Sequence, residues 1–167
     1  MSADPRPIQQ KNEDTVQLCS VKADGGMYGV EASAVREVLG HALPQRVPLA
    51  PAHIAGVLTY RGDVLEAVSL RNVLGLQPAR EDRVLVLEDS AGERFGLMVD
   101  SVGGIVTAPE SARESNPATL EARCGAIFNG VYRREEGLMV RLNMEMLRPA
   151  ELARSAVFSS SMQAEGR

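Results

Sequence analysis

Histidine, cysteine, serine and carboxylate side chains are the groups that could carry catalysis or hold a metal, and their spacing in this chain supports neither. His41 and His53 flank a proline-containing loop with no carboxylate at metal-ligand spacing, so both are expected to be solvated loop histidines. Cys19 sits in an alternating apolar stretch, the setting of a buried and inert thiol. Cys124 stands near a loop with no histidine beside it, and the two cysteines are too few and too distant for a disulfide framework or a zinc knuckle. Ser159-Ser160-Ser161 lies in a tail without a rigid base to activate a hydroxyl. Asp24-Gly25-Gly26-Met27 lacks the Lys-Ser/Thr and the helix start of a phosphate cradle. Asp100 ends a Gly-Leu-Met-Val stretch and is expected to cap the turn that follows rather than to act as an acid. Arg61-Gly62-Asp63 spells an adhesion tripeptide, but a hairpin turn explains it, and Glu135-Glu136 reads as a solvated loop tip. No catalytic residue, cofactor or metal is expected.

The 167 residues fit one domain, large enough to fold without staples. Eighteen basic against 22 acidic residues leave a net charge of −4, which argues against nucleic acid or an anionic membrane surface as partner. Three Tyr, three Phe and no Trp supply poor stacking platforms for single strands. No apolar run reaches the ~18 residues of a membrane span. Residues 1–14 carry no apolar signal-peptide core, and the cysteine usage suits a reduced compartment, so a cytoplasmic protein is expected.

The elements expected to position any site are short strands punctuated by Gly-rich turns. Thr15–Val21 and Met27–Glu31 flank Asp24-Gly25-Gly26, and Ile54–Tyr60 and Val64–Val68 flank Arg61-Gly62-Asp63. Arg83–Glu88 pairs with Arg94–Val99 across Ser90-Ala91-Gly92, and Ile127–Arg133 with Leu138–Leu142 across Glu135-Glu136-Gly137. Helical pieces are predicted at Ala32–Val38, at Leu70–Leu74 with Ser69 as N-cap, and at Asn143–Leu147 ended by Pro149. Residues 1–14 read as a disordered lead and 153–167 as a tail, leaving 15–152 as the folded part.

An internal repeat organises these pieces. Tyr28-Gly29-Val30 with Val35 and Val38 matches Phe95-Gly96-Leu97 with Val102 and Ile105 at an offset of 67. Gly56-Val57 with Val68-Ser69-Leu70 matches Gly130-Val131 with Leu142-Asn143-Met144 at an offset of 74. The expectation is two small β-barrels from consecutive halves, approximately 15–80 and 81–152, with a binding groove at their junction.

Five blocks carry a resemblance to a known family. Tyr28-Gly-Val-Glu-Ala-Ser-Ala-Val-Arg-Glu-Val-Leu-Gly40, followed by Arg46-Val-Pro-Leu-Ala-Pro-Ala-His-Ile-Ala-Gly-Val-Leu-Thr-Tyr-Arg-Gly62, resembles the CheW-like coupling domain. Phe95-Gly-Leu-Met-Val-Asp-Ser-Val102, Gly130-Val-Tyr132 and Leu138-Met-Val-Arg-Leu-Asn-Met144 resemble that family's later blocks, in the same order. The resemblance implies an all-β fold with short helices, built as two SH3-like five-stranded β-barrel subdomains. It also implies a non-enzymatic adaptor, without cofactor, that bridges chemoreceptor cytoplasmic tips to the regulatory domain of a CheA-type histidine kinase in membrane-associated arrays. By position, Val35, Glu37, Gly56, Arg61, Gly62 and Ile105 fall on receptor- or kinase-binding positions. An apolar groove suits a helical tip, and Arg61 offers a bidentate polar anchor; barrel core is the competing role for Val35 and Ile105, and turn stabilisation for Arg61.

The chain departs from the family where Thr59, Tyr60, Glu66 and Ser69 replace Asn, Leu, Pro and Asp, and where Thr119 stands near an expected aromatic. These changes leave open a divergent paralogue serving a type IV pilus or another alternative chemosensory pathway. In a different class stands a small-molecule-binding double barrel.

Overall fold

The computed structural model describes residues 14–155. Ten strands form two sheets. β1 (Thr15–Ala23), β2 (Gly26–Glu31), β8 (Ser101–Pro109), β9 (Phe128–Arg134) and β10 (Gly137–Leu142) make one, in the order β8-β1-β2-β10-β9. β3 (Val35–Gly40), β4 (Ile54–Tyr60), β5 (Asp63–Ser69), β6 (Arg83–Glu88) and β7 (Arg94–Val99) make the other, in the order β3-β6-β7-β5-β4. The expected all-β architecture of two five-stranded units with short helices is therefore present.

The four expected hairpins form, and their turns show why glycine stands where it does. Asp24 and Gly25 have φ of 50° and 78°, and Arg61 and Gly62 have 48° and 83°, the paired positive values of a two-residue turn whose twist matches the strands. The repeat is real, but its halves do not each close a barrel. With β1–β5 laid on β6–β10, the two sheet orders become the same list, because the last three strands of each repeat cross into the other repeat's sheet. The parallel pairs obey the same rule: Arg141 stands opposite Gly29 as Ala67 stands opposite Gly96. The division into 15–80 and 81–152 is thus corrected to 15–31 with 101–142, against 35–99.

Burial explains the exchange. β6 reads Val84-Leu85-Val86-Leu87, a continuous apolar run rather than an alternating one, and all four side chains are inaccessible to solvent. Leu85 and Leu87 enter a central cluster with Val21, Val30 and Leu97, whereas Val84 and Val86 enter clusters confined to their own sheet. β1 does the same in the other sheet, with Cys19 and Val21 central and Leu18 peripheral.

Three local expectations are corrected. Ala32–Val38 is a 3₁₀ turn over Ala32–Ala34 followed by strand β3, because pairing with β6 outweighs a helical spacing of Val35, Val38 and Leu39. α1 (Leu70–Val73) forms with the Ser69 hydroxyl accepting from the Asn72 amide at 3.2 Å, whereas the turn after Asn143 is 3₁₀ over Met144–Leu147. Pro149 begins the helical residues 149–155 instead of ending a helix, as its fixed φ permits at a first position. β8 and α2 (Ala118–Cys124) had no counterpart among the expected elements. The lead falls outside the described residues apart from Asp14, as does the tail beyond residue 155, Ser159–Ser161 included.

Charged side chains lock the crossovers. Arg71, buried at the start of α1, donates from Nε and Nη2 to the two Asp100 carboxylate oxygens at 2.7 Å each and from Nη1 to the Gln77 carbonyl at 2.7 Å. Asp100, the single residue between β7 and β8, also accepts from the Asp24 amide at 2.9 Å. It therefore caps the β1–β2 turn, not the turn that follows it. In the other sheet the buried Arg141 donates to Glu31, to Glu110 at 2.9 Å and to the Tyr132 hydroxyl at 3.2 Å. Burial works against its charge, and those bonds outweigh it, so Arg141 is held above the ordinary arginine range.

Two outcomes are expected. A Cβ at Gly56, whose φ is 152°, would come within 3.0 Å of the Gln45 carbonyl oxygen, where Gln45 pairs with Val57. Gly56→Ala should cost about 3 kcal/mol in urea unfolding, against about 1 kcal/mol for Gly62→Ala, whose φ is positive but whose surroundings are open. The Arg71 hydrogen bonds hold the Asp100 carboxyl below its ordinary value. Its stabilisation is complete above the unfolded pKa of about 3.9 and is lost as pH falls through the lower folded value. Asp100→Asn should lower the thermal midpoint at pH 7 and flatten the acid limb of a midpoint-against-pH curve.

Candidate functional site

Three of the six residues singled out by sequence, Glu37, Arg61 and Gly62, belong to one end of the 35–99 sheet. β3 and β4 are its two edges, and the side chains of Glu37 on β3 and Tyr60 and Arg61 on β4 and its turn meet across them. Arg61 Nη2 lies 3.6 Å from Glu37 Oε2, and its guanidinium sits over the Tyr60 ring at 5.4 Å from the centroid. Tyr60 is buried, and hydrogen bonding to the Glu37 carboxylate, followed by burial, pushes its phenol up from the ordinary value. Arg61 itself is held at φ 48° by the two-residue turn it shares with Gly62. An ion pair this open contributes at most about 1 kcal/mol to stability. With 72% of the Arg61 side chain exposed, the pair presents a charged fork to solvent more than it holds the sheet.

The other positions divide. Gly56 is structural: it is the close approach that lets Gln45 pair with Val57, and Gly130 repeats it, where a Cβ would lie 2.8 Å from the Glu114 carbonyl oxygen beside the Glu114–Val131 bridge. Val35 is half-buried against the central cluster. Ile105 is on β8 in the other sheet, opposite Cys19, and is 57% exposed, so it is surface and not core. Nothing brings Ile105 into contact with Glu37 or Arg61.

Reading for chemistry fares similarly. His53 is half-buried rather than solvated, and burial lowers its pKa against the opposing pull of Glu66. His41 is exposed. Cys19 is buried as expected, and burial raises its thiol above the ordinary value, which disfavours the reactive thiolate. Among the described residues no group of three His, Cys, Asp or Glu side chains is placed to hold a metal. Tyr60 is the site residue that sequence reasoning passed over. Its signal was present, since an aromatic beside an exposed turn arginine is a ready cation–π partner.

Glu37→Gln should move the Tyr60 ionisation midpoint down toward the ordinary tyrosine value. Absorbance at alkaline pH in a Tyr28→Phe, Tyr132→Phe background reads that residue alone.

Comparison with known proteins bears on the family and the fold. A family model described as the CheW-like domain matches residues 17–151. The probable chemotaxis protein CheW of Rhizobium etli is 27% identical over 142 residues, covering 84% of this chain and 92% of that one. The chemotaxis protein CheW of Bacillus subtilis is 26% identical over 137 residues, covering 80% and 87%. The fold is similar to the crystal structure of the scaffolding protein TtCheW from Thermoanaerobacter tengcongensis, with a TM-score of 0.72 at 20% identity over 79% of this chain and 91% of that one. With the match running from β1 into the helical residues 149–155, the chain belongs to the CheW-like domain family.

Proposed function

We propose that this protein is a non-enzymatic adaptor that couples the cytoplasmic tip of a chemoreceptor to the regulatory domain of a CheA-type histidine kinase. The observation that carries the reading is the family match across 17–151, which spans both sheets. The exposed Glu37–Arg61 fork gives it a chemistry. Its guanidinium is oriented by Tyr60 and Gly62, and keeps donors free for a carboxylate on the partner. Ile105 offers an exposed apolar contact on the other sheet, and Val35 is half-buried against the central cluster. Gly56 and Gly62 serve by shaping β4 and its turn.

The adaptor would act in the cytoplasm and reach the membrane through the receptor. No helix among the described residues is long and apolar enough to cross a bilayer. Each contact would be modest alone and gain strength from simultaneous engagement of receptor and kinase.

Arg61→Glu should weaken binding of a receptor-tip hairpin at least about tenfold in calorimetry without altering the circular dichroism spectrum. The double exchange Glu37→Arg, Arg61→Glu should leave binding weak, because the fork would then face the partner with the wrong sign. Absence of binding to both the receptor tip and the kinase regulatory domain at about 100 μM, where a millimolar Kd would still show, overturns the adaptor reading.

A further inference from the structure

The loop between β3 and β4, residues 41–53, carries Leu43, Val47 and Leu49, and Leu43 and Leu49 are the most exposed large apolar side chains among the described residues. Leu49 is the informative one. The Val47 carbonyl accepts from the Ala50 amide at 3.3 Å, closing a turn with Pro48 in its second place and Leu49 in its third. Leu49 has φ 65°, the value that makes Gly or Asn the unstrained residue at that place. A leucine there meets a Cβ clash, and its side chain is wholly in water. Neither local conformation nor burial among the described residues accounts for it.

Beside the turn lies a groove of 760 Å³ between the loop, α1 and residues 78–81, with Val47, Pro51, Ile54 and Met98 among its apolar walls. Its charges are unequal. Glu81 is engaged at both oxygens, by the Ser69 hydroxyl and by the Arg71 amide at 3.1 Å. Arg80 pairs with Asp82 at 2.8 Å. Arg46, exposed on the rim, has no ion pair among the described residues. The groove therefore asks for an apolar ridge with a carboxylate beside it. A second copy paired face to face would bring another unpaired Arg46 to the seam, which opposes self-pairing.

We propose that the 41–53 loop and its groove dock an acidic amphipathic helix of a partner protein, with Leu49 as the apolar knob and Arg46 as the carboxylate anchor. Pro44, Pro48 and Pro51 stiffen the loop, so little conformational freedom is lost on binding. This surface lies at the Ile54 end of β4, and the Glu37–Arg61 fork at the Tyr60 end, so the two proposals fail independently.

The test uses the full chain, isotope-labelled, titrated with a stapled helical peptide bearing leucine at every third and fourth position and glutamate between. Amide shifts are expected to concentrate in residues 43–55 and 69–81. Leu49→Asn should raise the thermal midpoint, because Asn accepts the left-handed backbone, and yet weaken the peptide at least about tenfold. Arg46→Glu should abolish the preference for this peptide over its lysine counterpart, and Leu138→Asn, on exposed β10 surface, should change nothing. The proposal is overturned by shifts elsewhere, by equal binding of the lysine peptide, or by a Leu49→Asn chain that binds normally. It is also overturned if that variant fails to raise the midpoint, since Leu49 would then serve the fold. Self-association that Leu49→Asn abolishes would assign the face to a second copy instead.

Discussion

The central apolar cluster is the constraint on which both sheets depend. Val21 and Val30 from one hairpin meet Leu85, Leu87 and Leu97 from the other, and Val131, Val140 and Leu142 close over them. A five-stranded sheet of this size that buried only one face would leave half of each apolar run in water. Exchange of the last three strands of each repeat lets both faces of β1 and β6 be covered. The crossovers then become the points at which the two sheets must be held in register. Arg71–Asp100–Asp24 at one crossover, and Arg141–Glu31–Glu110 at the other, supply directed bonds where the apolar contacts are non-directional.

The two surfaces proposed for binding lie at the margins of this arrangement. The interior is given over to packing, and within it Ser69, Glu81 and Arg71 are engaged with one another. Chemistry is left to the ends of β4, where one turn presents Arg61 and the opposite loop presents Leu49. Both residues have a positive φ, and both are exposed. A protein that holds others together needs such fixed projections more than it needs a cavity.

The hairpins were legible because their turns demand residues that tolerate a positive φ, and Gly25, Gly62 and Gly137 meet that demand in plain sight. The repeat was legible through Gly56 and Gly130, whose missing side chains admit Gln45 and Glu114. The strand exchange was not. Offsets of 67 and 74 describe order along the chain and are identical whichever sheet a strand joins. Even the growth of the offset has a local cause, the second repeat's connection from β8 to β9 being the longer one, with α2 in it. β3 was hidden because its partner, β6, lies far along the chain, and an isolated Val-Arg-Glu-Val-Leu carries no mark of that pairing. Of the site, Glu37, Arg61 and the shaping glycines were visible from their positions in motifs. Ile105 was singled out by position like them, yet it stands apart, because a position along the chain does not say which sheet receives it.

The interleaving also sets the order in which the chain can complete itself. Residues 35–99 contain every strand of their sheet, so that sheet is finished as soon as Val99 has been made. The β1–β2 hairpin is made first of all, yet its two neighbours are β8 and β10, and Gly29 must wait for Arg141. Throughout that interval both of its edges are open strands with apolar faces, the state most prone to pair with the wrong chain. The first two strands of this domain are thus the last to be satisfied, and a copy truncated anywhere before β10 carries the open edge of β2 permanently.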